Sequence, residues 1–516
     1  MNGVVDERPA LDRFLHRYPP RSYRLEDYKR WFPRTGAIMR RYLRDFRALP
    51  LPSSTRTGIA VFVVSPWVFT PAPWYSLMLA IGLASRGRPV EIVWDDSAFP
   101  EPGVDAQNDV IAKVLRDVAE YVPVHRVSAA APRPEAGDAV LVGPLADQNL
   151  LWATRGGRVG AREQSQRDAM AQSLAESLAR IRTLVDRDHL ELIVVCGGIY
   201  GTSGLFLHAG RERGVRVATF DVDRSTAQIC VDGIAAQSHD VPRAFQHVWA
   251  RGPEMRAAVT ALGRVEFEQR RAGRDRYGFQ AAAAAAPHQG VAAVIPMNVV
   301  FDSAALGRHG LFVDTAEWIT RTVETVLAEG VGPVVVRQHP SERRVGQRSA
   351  FDIGKVLAHR FGDDTRVRFV PGDAAISTYD LLDAARVVLP FVSTIGIEAA
   401  AIGKPTLISG DCFYGPLGFV HTAGSLDEYL AAVRRGVHGN LGLLPDQVER
   451  AWVCYGMAAV ANRIPSDFIP HPDDFWTWCK RSPATTFAEP EVATILDALD
   501  GDVPVSQLRI DRLIGP

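Results

Sequence analysis

Short segments that are apolar on both faces recur along this chain, separated by helix-length stretches, and they do so in two series. "GIAVFVVSPW" (58–67) opens the first; "APWYSLMLAIGLASRGRP" (72–89) is a helix ended by Gly87, and "VEIVWDD" (90–96) is the next strand. "AVLVGPL" (139–145), a long helix over 165–187, "LELIVVCGG" (190–198), a helix from Thr202 and "VRVATFDVD" (215–223) continue it. A strand apolar on both faces is the mark of a parallel sheet covered on both sides, and alternation with helices marks a doubly wound α/β domain. A second series begins at "VAAVIPMN" (291–298) and runs through a helix over 316–330, "PVVVRQHP" (333–340), "RVRFVPG" (366–372), "ARVVLPFVST" (385–394) and "PTLISG" (405–410).

The alanine tract in "RRAGRDRYGFQAAAAAAPHQG" (270–290), closed by Pro287 and Gly290, reads as the crossing between the two series. The expected organisation is therefore a basic, aromatic helical appendage over 1–57, a first Rossmann-like domain over 58–269 and a linker over 270–290. A second Rossmann-like domain follows over 291–444, with a helical, aromatic-rich segment over 445–516 bracing a central cleft between the two sheets.

Composition narrows the function classes. At 516 residues the chain is too long for one ordinary core, and 47% hydrophobic with 23% charged residues is the make-up of a globular protein. A formal net charge of −1 supplies no field to attract nucleic acid. The five cysteines are scattered, with no C-x-x-C pair, which speaks against a zinc site or a disulfide framework and for a reducing compartment. The N-terminus lacks the apolar core of a secretory signal, so the expected location is cytoplasmic. Arginines alternate with Tyr28, Trp31, Phe32, Tyr42 and Phe46 near the start. That pattern reads either as an appendage packing its aromatics on the first domain or as a peripheral contact with the inner membrane.

Three stretches leave second-series strands at the end where ligands bind: "MNVVFDS", "RQHPSERR" and "VSTIGIEAA". In the third, Ser393 and Thr394 precede a small-residue helix, Gly396 to Ile402, whose free amides and hydroxyls suit a phosphate; Glu398 could accept bonds from ribose. The competing reading is an ordinary N-cap, worth about 1 kcal/mol to any helix. In the second stretch Arg337 and His339 share one face, and Pro340 ends the ladder with His339 at the strand mouth, where it can meet a phosphate oxygen.

Together "NVVFDSA", "WITRTV", "VVVRQHPSERR", "ISTYDLLDAARVVLPFVSTIGIEAAAIGKPTLISG" and "FYGPLGF" resemble the bacterial capsule polysaccharide biosynthesis proteins. Those are glycosyltransferases of the two-Rossmann GT-B type related to Kdo transferases. The resemblance covers roughly 290–435, and the His-Pro pair followed by a Ser/Thr pair is also similar to the donor-site pattern of bacterial sialyltransferases. It implies metal-independent transfer from a nucleotide-activated sugar, which is a co-substrate and not a bound cofactor. The acceptor would be an oligosaccharide or lipid-linked glycan. Asn298, Arg337, His339, Ser393, Thr394, Gly396 and Glu398 would bind the donor, His339 acting in catalysis. Gln338 departs from the family pattern, and the acidic motif ending in glycine is not evident in the first series.

The first domain is expected to hold the acceptor at "CGGIYGTSG", with Gly198, Tyr200 and Thr202 lining it, either as an anion cradle or as a plain tight turn. The acceptor's base is expected to be a first-domain carboxylate or histidine: Asp223, Asp96 or His239. The pair Asp221 and Asp223 forms a D-x-D too common to imply a metal. Two other readings compete: a nucleotide-sugar epimerase of the same plan, which needs no acceptor, and a catalytically silent glycan-assembly scaffold.

Overall fold

The computed structural model describes residues 25–46, 57–67, 70–97, 103–222, 226–274, 290–308, 310–343, 348–362, 364–465 and 481–515. The chain is an α/β protein with two Rossmann-like parallel sheets, as its strand runs predict, and its contacts group into two compact units.

The first unit takes Met1–Ala146, Asp168–Ile234 and Ile464–Val503. Its strands are β1 (Ile59–Val64), β2 (Val90–Trp94), β3 (Val124–Arg126), β4 (Leu190–Cys196), β5 (Arg216–Val222) and β6 (Thr226–Cys230), with β11 (Ile464–Pro465) from the far end of the chain. The order is β11-β6-β5-β4-β1-β2-β3; β1 to β5 are parallel, while β6 and β11 pair antiparallel at one edge. Val61, Val63, Ile193, Val195 and Val217 are buried with Leu174, Leu178 and Phe206 from helices laid on the sheet.

The second unit takes Asp147–Arg167, Ala235–Arg463 and Pro504–Pro516. Its strands are β7 (Val291–Pro296), β8 (Val334–Arg337), β9 (Val367–Val370) and β10 (Ala385–Val388), all parallel in the order β10-β7-β8-β9. All six residues of β7 are buried, which is why its sequence shows no polar alternation. From β7 the chain steps outward through β8 to β9, then returns to the other side of β7 as β10. This reversal opens a crevice at the carboxyl ends of β7 and β10, the place where doubly wound sheets bind ligands.

Several expectations are corrected. "AVLVGPL" lies in a helix, Asp138–Ala153, and not in a strand. Val142, Ala146 and Leu150 are buried while Val140 is 83% exposed, so only one face is apolar, at helical spacing. "PTLISG" makes only single bridges, Val388 to Thr406 and Leu407 to His421, in place of a full strand. The division between units falls at Ile234–Ala235, so helix Pro253–Arg271 belongs to the second unit; most of the expected linker lies outside the described residues. Of the segment after 444, Ile464–Val503 belongs to the first unit and Pro504–Pro516 to the second.

Near the N-terminus, helix Leu25–Phe46 carries Pro33 in its interior and packs its aromatics into the first unit. Trp31, Phe32, Tyr42 and Phe46 are buried, Phe32 stacks on Trp74 at 5.1 Å, and the Trp74 indole donates to Thr35 Oγ1 at 2.8 Å. These rings are spent on the core and are not offered to a membrane surface. No helix among the described residues is long and apolar enough to cross a membrane.

Candidate functional site

The crevice of the second unit is built by three neighbouring strand ends. The chain leaving β7 stays beside β8, since Met297 N donates to Arg337 O at 2.9 Å; on the other side Leu389 N donates to Val294 O at 2.8 Å. Asn298 follows the central strand, His339 follows β8, and Ser393 and Thr394 follow β10, so these four residues share one edge.

His339 is partly buried, and its orientation is set by the turn that follows. The Ser341 backbone N–H donates to His339 Nδ1 at 3.2 Å, and Ser341 Oγ lies 2.6 Å from the same nitrogen. A ring nitrogen that accepts from a backbone amide carries no proton, so the neutral ring holds its proton on Nε2. Burial holds the imidazolium pKa down to about 4; the charge of Asp302 opposes this and that of Arg337 reinforces it. At neutral pH His339 is thus an uncharged hydrogen-bond donor through Nε2–H. Gln338 steadies the same turn, accepting from Gly372 N at 2.9 Å and donating to Glu342 at 2.9 Å.

Ser393 is partly exposed and Thr394 exposed. Elsewhere in this unit Asp314, Asp352, Ser377 and Ser425 each cap their own helix with a side-chain oxygen. Thr394 occupies the N-cap position of helix Ile395–Ala401 but makes no such bond, so the capping explanation fails here. Tyr414 holds the turn from beneath, its hydroxyl donating to Ser393 O at 2.7 Å. Asn298 Oδ1 is buried and finds no hydrogen-bond partner among the described residues. Such an orphan calls for an explanation, and a ligand supplies one.

Three expected donor contacts are corrected. Arg337 is 1% exposed and is used internally: it donates to Pro371 O, to Ile376 O at 3.2 Å and to Thr378 Oγ1 at 3.5 Å, clamping the loop after β9. Glu398 is 2% exposed and pairs with Arg270 of helix Pro253–Arg271 at 2.9 Å, so its carboxylate faces the interior and not a ribose. Gly396 is a packing glycine, because a Cβ there would lie 2.6 Å from the Tyr414 hydroxyl.

The first unit has its own crevice, where the order reverses between β1 and β4. Gly197 and Gly198 take φ of 82° and 86°, which the turn requires and which favours glycine. The turn satisfies itself: Gly198 N donates to Ser203 Oγ at 3.1 Å, and Thr202 is buried and donates to Asp95. Gly198 and Thr202 are therefore internal, and only Tyr200 of the expected acceptor contacts is partly exposed.

Asp95 is the residue that sequence reasoning passed over. It is fully buried at the end of β2 and accepts from Ser97 Oγ at 2.9 Å, Ser65 Oγ at 3.2 Å and Thr202. Burial pushes its pKa up against those three hydroxyls. The signal in the sequence is the paired "DD" closing a strand, whose second member, Asp96, is among the expected base candidates. Burial raises the Asp96 pKa, but bonds from Ser128 and Arg126 outweigh it and leave the carboxylate a weaker base than usual. His239 stands 3.1 Å from Gln237 Oε1 and 3.0 Å from Arg308. Asp223 lies outside the described residues. No group of three or more His, Cys, Asp or Glu able to hold a metal occurs among the described residues.

No family model matches the chain, and no curated protein matches it. Among solved structures it is similar to KpsC, a β-Kdo 2,4 transferase of Thermosulfurimonas dismutans, at 13% identity over 51% of this chain and 88% of that one, with a TM-score of 0.33. KpsC β-Kdo 2,7 transferase of the same organism is similar at 14% identity, 55% and 85% coverage and a TM-score of 0.31. UDP-GlcNAc 2-epimerase from Neisseria meningitidis, bound to UDP-GlcNAc, is similar at 10% identity over 86% of this chain and all of its own, with a TM-score of 0.26.

Proposed function

We propose that the chain is a GT-B type glycosyltransferase. It would move a sugar from a nucleotide-activated donor (CMP-Kdo-like, or a UDP- or GDP-sugar) to a capsular polysaccharide or its lipid-linked precursor. The observation that carries this is the convergence of His339 Nε2–H, the uncommitted hydroxyls of Ser393 and Thr394, and the orphan Asn298 on one sheet edge, at the strand-order reversal.

In the transfer, the bond from the anomeric carbon to the donor's phosphate oxygen breaks, and the acceptor hydroxyl oxygen bonds that carbon. The hydroxyl proton passes to a base, for which Asp223 is the sequence's candidate. Negative charge grows on the departing phosphate. His339 Nε2–H, Ser393 and Thr394 donate to it, placed beforehand by Ser341 and Tyr414, and donors held in position are worth most where charge develops. Asn298 can donate its amide N–H to the same oxygens or accept from a sugar hydroxyl. Transfer would need no metal ion and would take place in the cytoplasm.

The test is steady-state transfer with a panel of nucleotide sugars, alone and with oligosaccharide acceptors. His339→Ala is expected to lower kcat about 10²–10³-fold with the melting temperature nearly kept, and transfer is expected to survive EDTA. Sugar epimerised without any acceptor would support the epimerase reading in its place. Normal turnover by His339→Ala would remove the donor site from this edge.

A further inference from the structure

With Arg337 buried in structural bonds, the candidate site as expected from sequence has lost its cation. Arg308, in the loop after β7, has the properties that Arg337 lacks. It is partly buried, yet none of its hydrogen-bond partners is a carboxylate. Nη1 donates to the Asp411 backbone carbonyl; Nη2 donates to Gln237 Oε1 at 2.6 Å and stands 3.0 Å from His239 Nε2. Nε is buried and has no partner among the described residues.

Other arginines of the second unit differ: Arg270 has Glu398, Arg256 has Glu449 and Arg360 has Glu324. The charge of Asp411 acts on Arg308, but no carboxylate oxygen bonds it; a guanidinium withdrawn from water with no bonded counter-ion is unfavourable, and an arriving anion relieves the cost.

Its place is the same edge. A Cβ on Gly410 would lie 2.9 Å from Arg308 O, and Gly410 N donates to Phe391 O at 3.3 Å, two residues before Ser393. Tyr414, which holds Ser393, feels the Arg308 charge. The pair that grips Arg308 flanks Ser238, whose φ of 54° is unusual for a residue other than glycine. Gln237 is itself pinned, its amide donating to Ser303 O at 3.1 Å and Leu306 O at 3.2 Å. The guanidinium is thus fixed by a backbone carbonyl, an amide oxygen and an imidazole, with no carboxylate among its hydrogen-bond partners.

We propose that Arg308 is the anion-binding cation of this site and meets the phosphate of a nucleotide donor through its planar fork. This rests on the donor-site reading above. Arginine suits the role because two N–H groups can meet two phosphate oxygens at once.

Calorimetric binding of inorganic pyrophosphate, CMP and UDP to the full chain tests it. Arg308→Gln is expected to weaken whichever probe binds by about 10- to 100-fold, a charge-assisted bond's worth, with the ligand-free melting temperature little changed. Arg308→Lys, which keeps charge and bulk but loses the fork, is expected to weaken it several-fold. His339→Ala reports separately on the donor-site reading. If His339→Ala weakens binding while Arg308→Gln, or Arg308→Lys should the former not fold, binds as wild type, the Arg308 assignment is overturned and the donor site stands. If the wild type binds none of the three probes, both fail. If Arg308→Gln alone loses pyrophosphate, an anion site is supported at Arg308 and His339 is removed from it.

Discussion

His339 shows how a single side chain's chemistry is decided by two atoms of its neighbour. Ser341 takes up Nδ1, so Nε2 keeps the proton, and burial keeps the ring neutral down to a pH of about 4. The sign for stability follows from this depressed value. Between pH 6.5 and about 4 the unfolded ring takes a proton that the folded ring refuses, so the group's contribution is whole above that window and is lost as pH falls through it. Chemical denaturation of wild type and His339→Gln across this range should therefore show the wild type losing stability relative to the variant on acidification, by at most about 3 kcal/mol. A constant difference would mean that the ring is not held neutral. Arg337 makes the complementary point: "RQH" in sequence looks like two ligand-binding side chains on one face, yet one of them is spent on the carbonyls of residues 371 and 376.

Between elements, the buried pair Arg270–Glu398 ties helix Pro253–Arg271 to helix Ile395–Ala401. Glu266 is a second partner of Arg270 at 3.4 Å, and the Tyr379 and Tyr455 hydroxyls beside Glu398 have their pKa values pushed up, by burial first and by the Glu398 charge second. Removing Glu398 takes away the closer and more deeply buried partner of Arg270 and leaves it the Glu266 contact at 3.4 Å. Glu398→Gln should thus cost about 3 kcal/mol of stability, with little change in the KM for the donor of the folded fraction. Replacing both members, as Arg270→Met with Glu398→Leu, should recover much of the loss. A Glu398→Gln chain of unchanged stability and weakened donor binding would return the glutamate to the ligand.

At the scale of the whole chain, each unit is assembled from three separated segments, and the last stretch serves both. In the first unit, β11 pairs with β6, Ile495, Leu496 and Leu499 are fully buried, Arg86 pairs with Asp497 at 2.6 Å and Arg216 donates to Leu499 O at 2.6 Å. In the second, Arg509 donates to Val460 O and Ala461 O at 2.8 and 2.9 Å and Ile510 is buried in the core. A chain ending at Arg463 should consequently lose cooperative unfolding of both units, read by circular dichroism melting and hydrogen exchange. A truncated chain that melts as the full one would show the segment to be dispensable.

Much of the fold was legible without coordinates. Residues 59–64, 90–94, 190–196, 216–222, 291–296 and 334–337 announce themselves as strands by short, mainly apolar runs, because a strand covered on both faces is largely apolar. The segments "MNVVFDS", "HPS" and "VST" were locatable at carboxyl ends for the same reason. What the chain could not announce was the partner of each polar side chain. Arg337 and Arg308 are the same residue type; one is clamped by a loop some 34 residues on and the other by Gln237, 71 residues back. Glu398 likewise meets Arg270 across 128 residues, and "AVLVGPL" became a helix because only one of its faces found a core. Local sequence sets backbone preference and which faces are apolar, since both depend on near neighbours. Whether a buried charge faces a ligand or another side chain depends on groups brought close only when the chain closes on itself, and tertiary structure alone decided that.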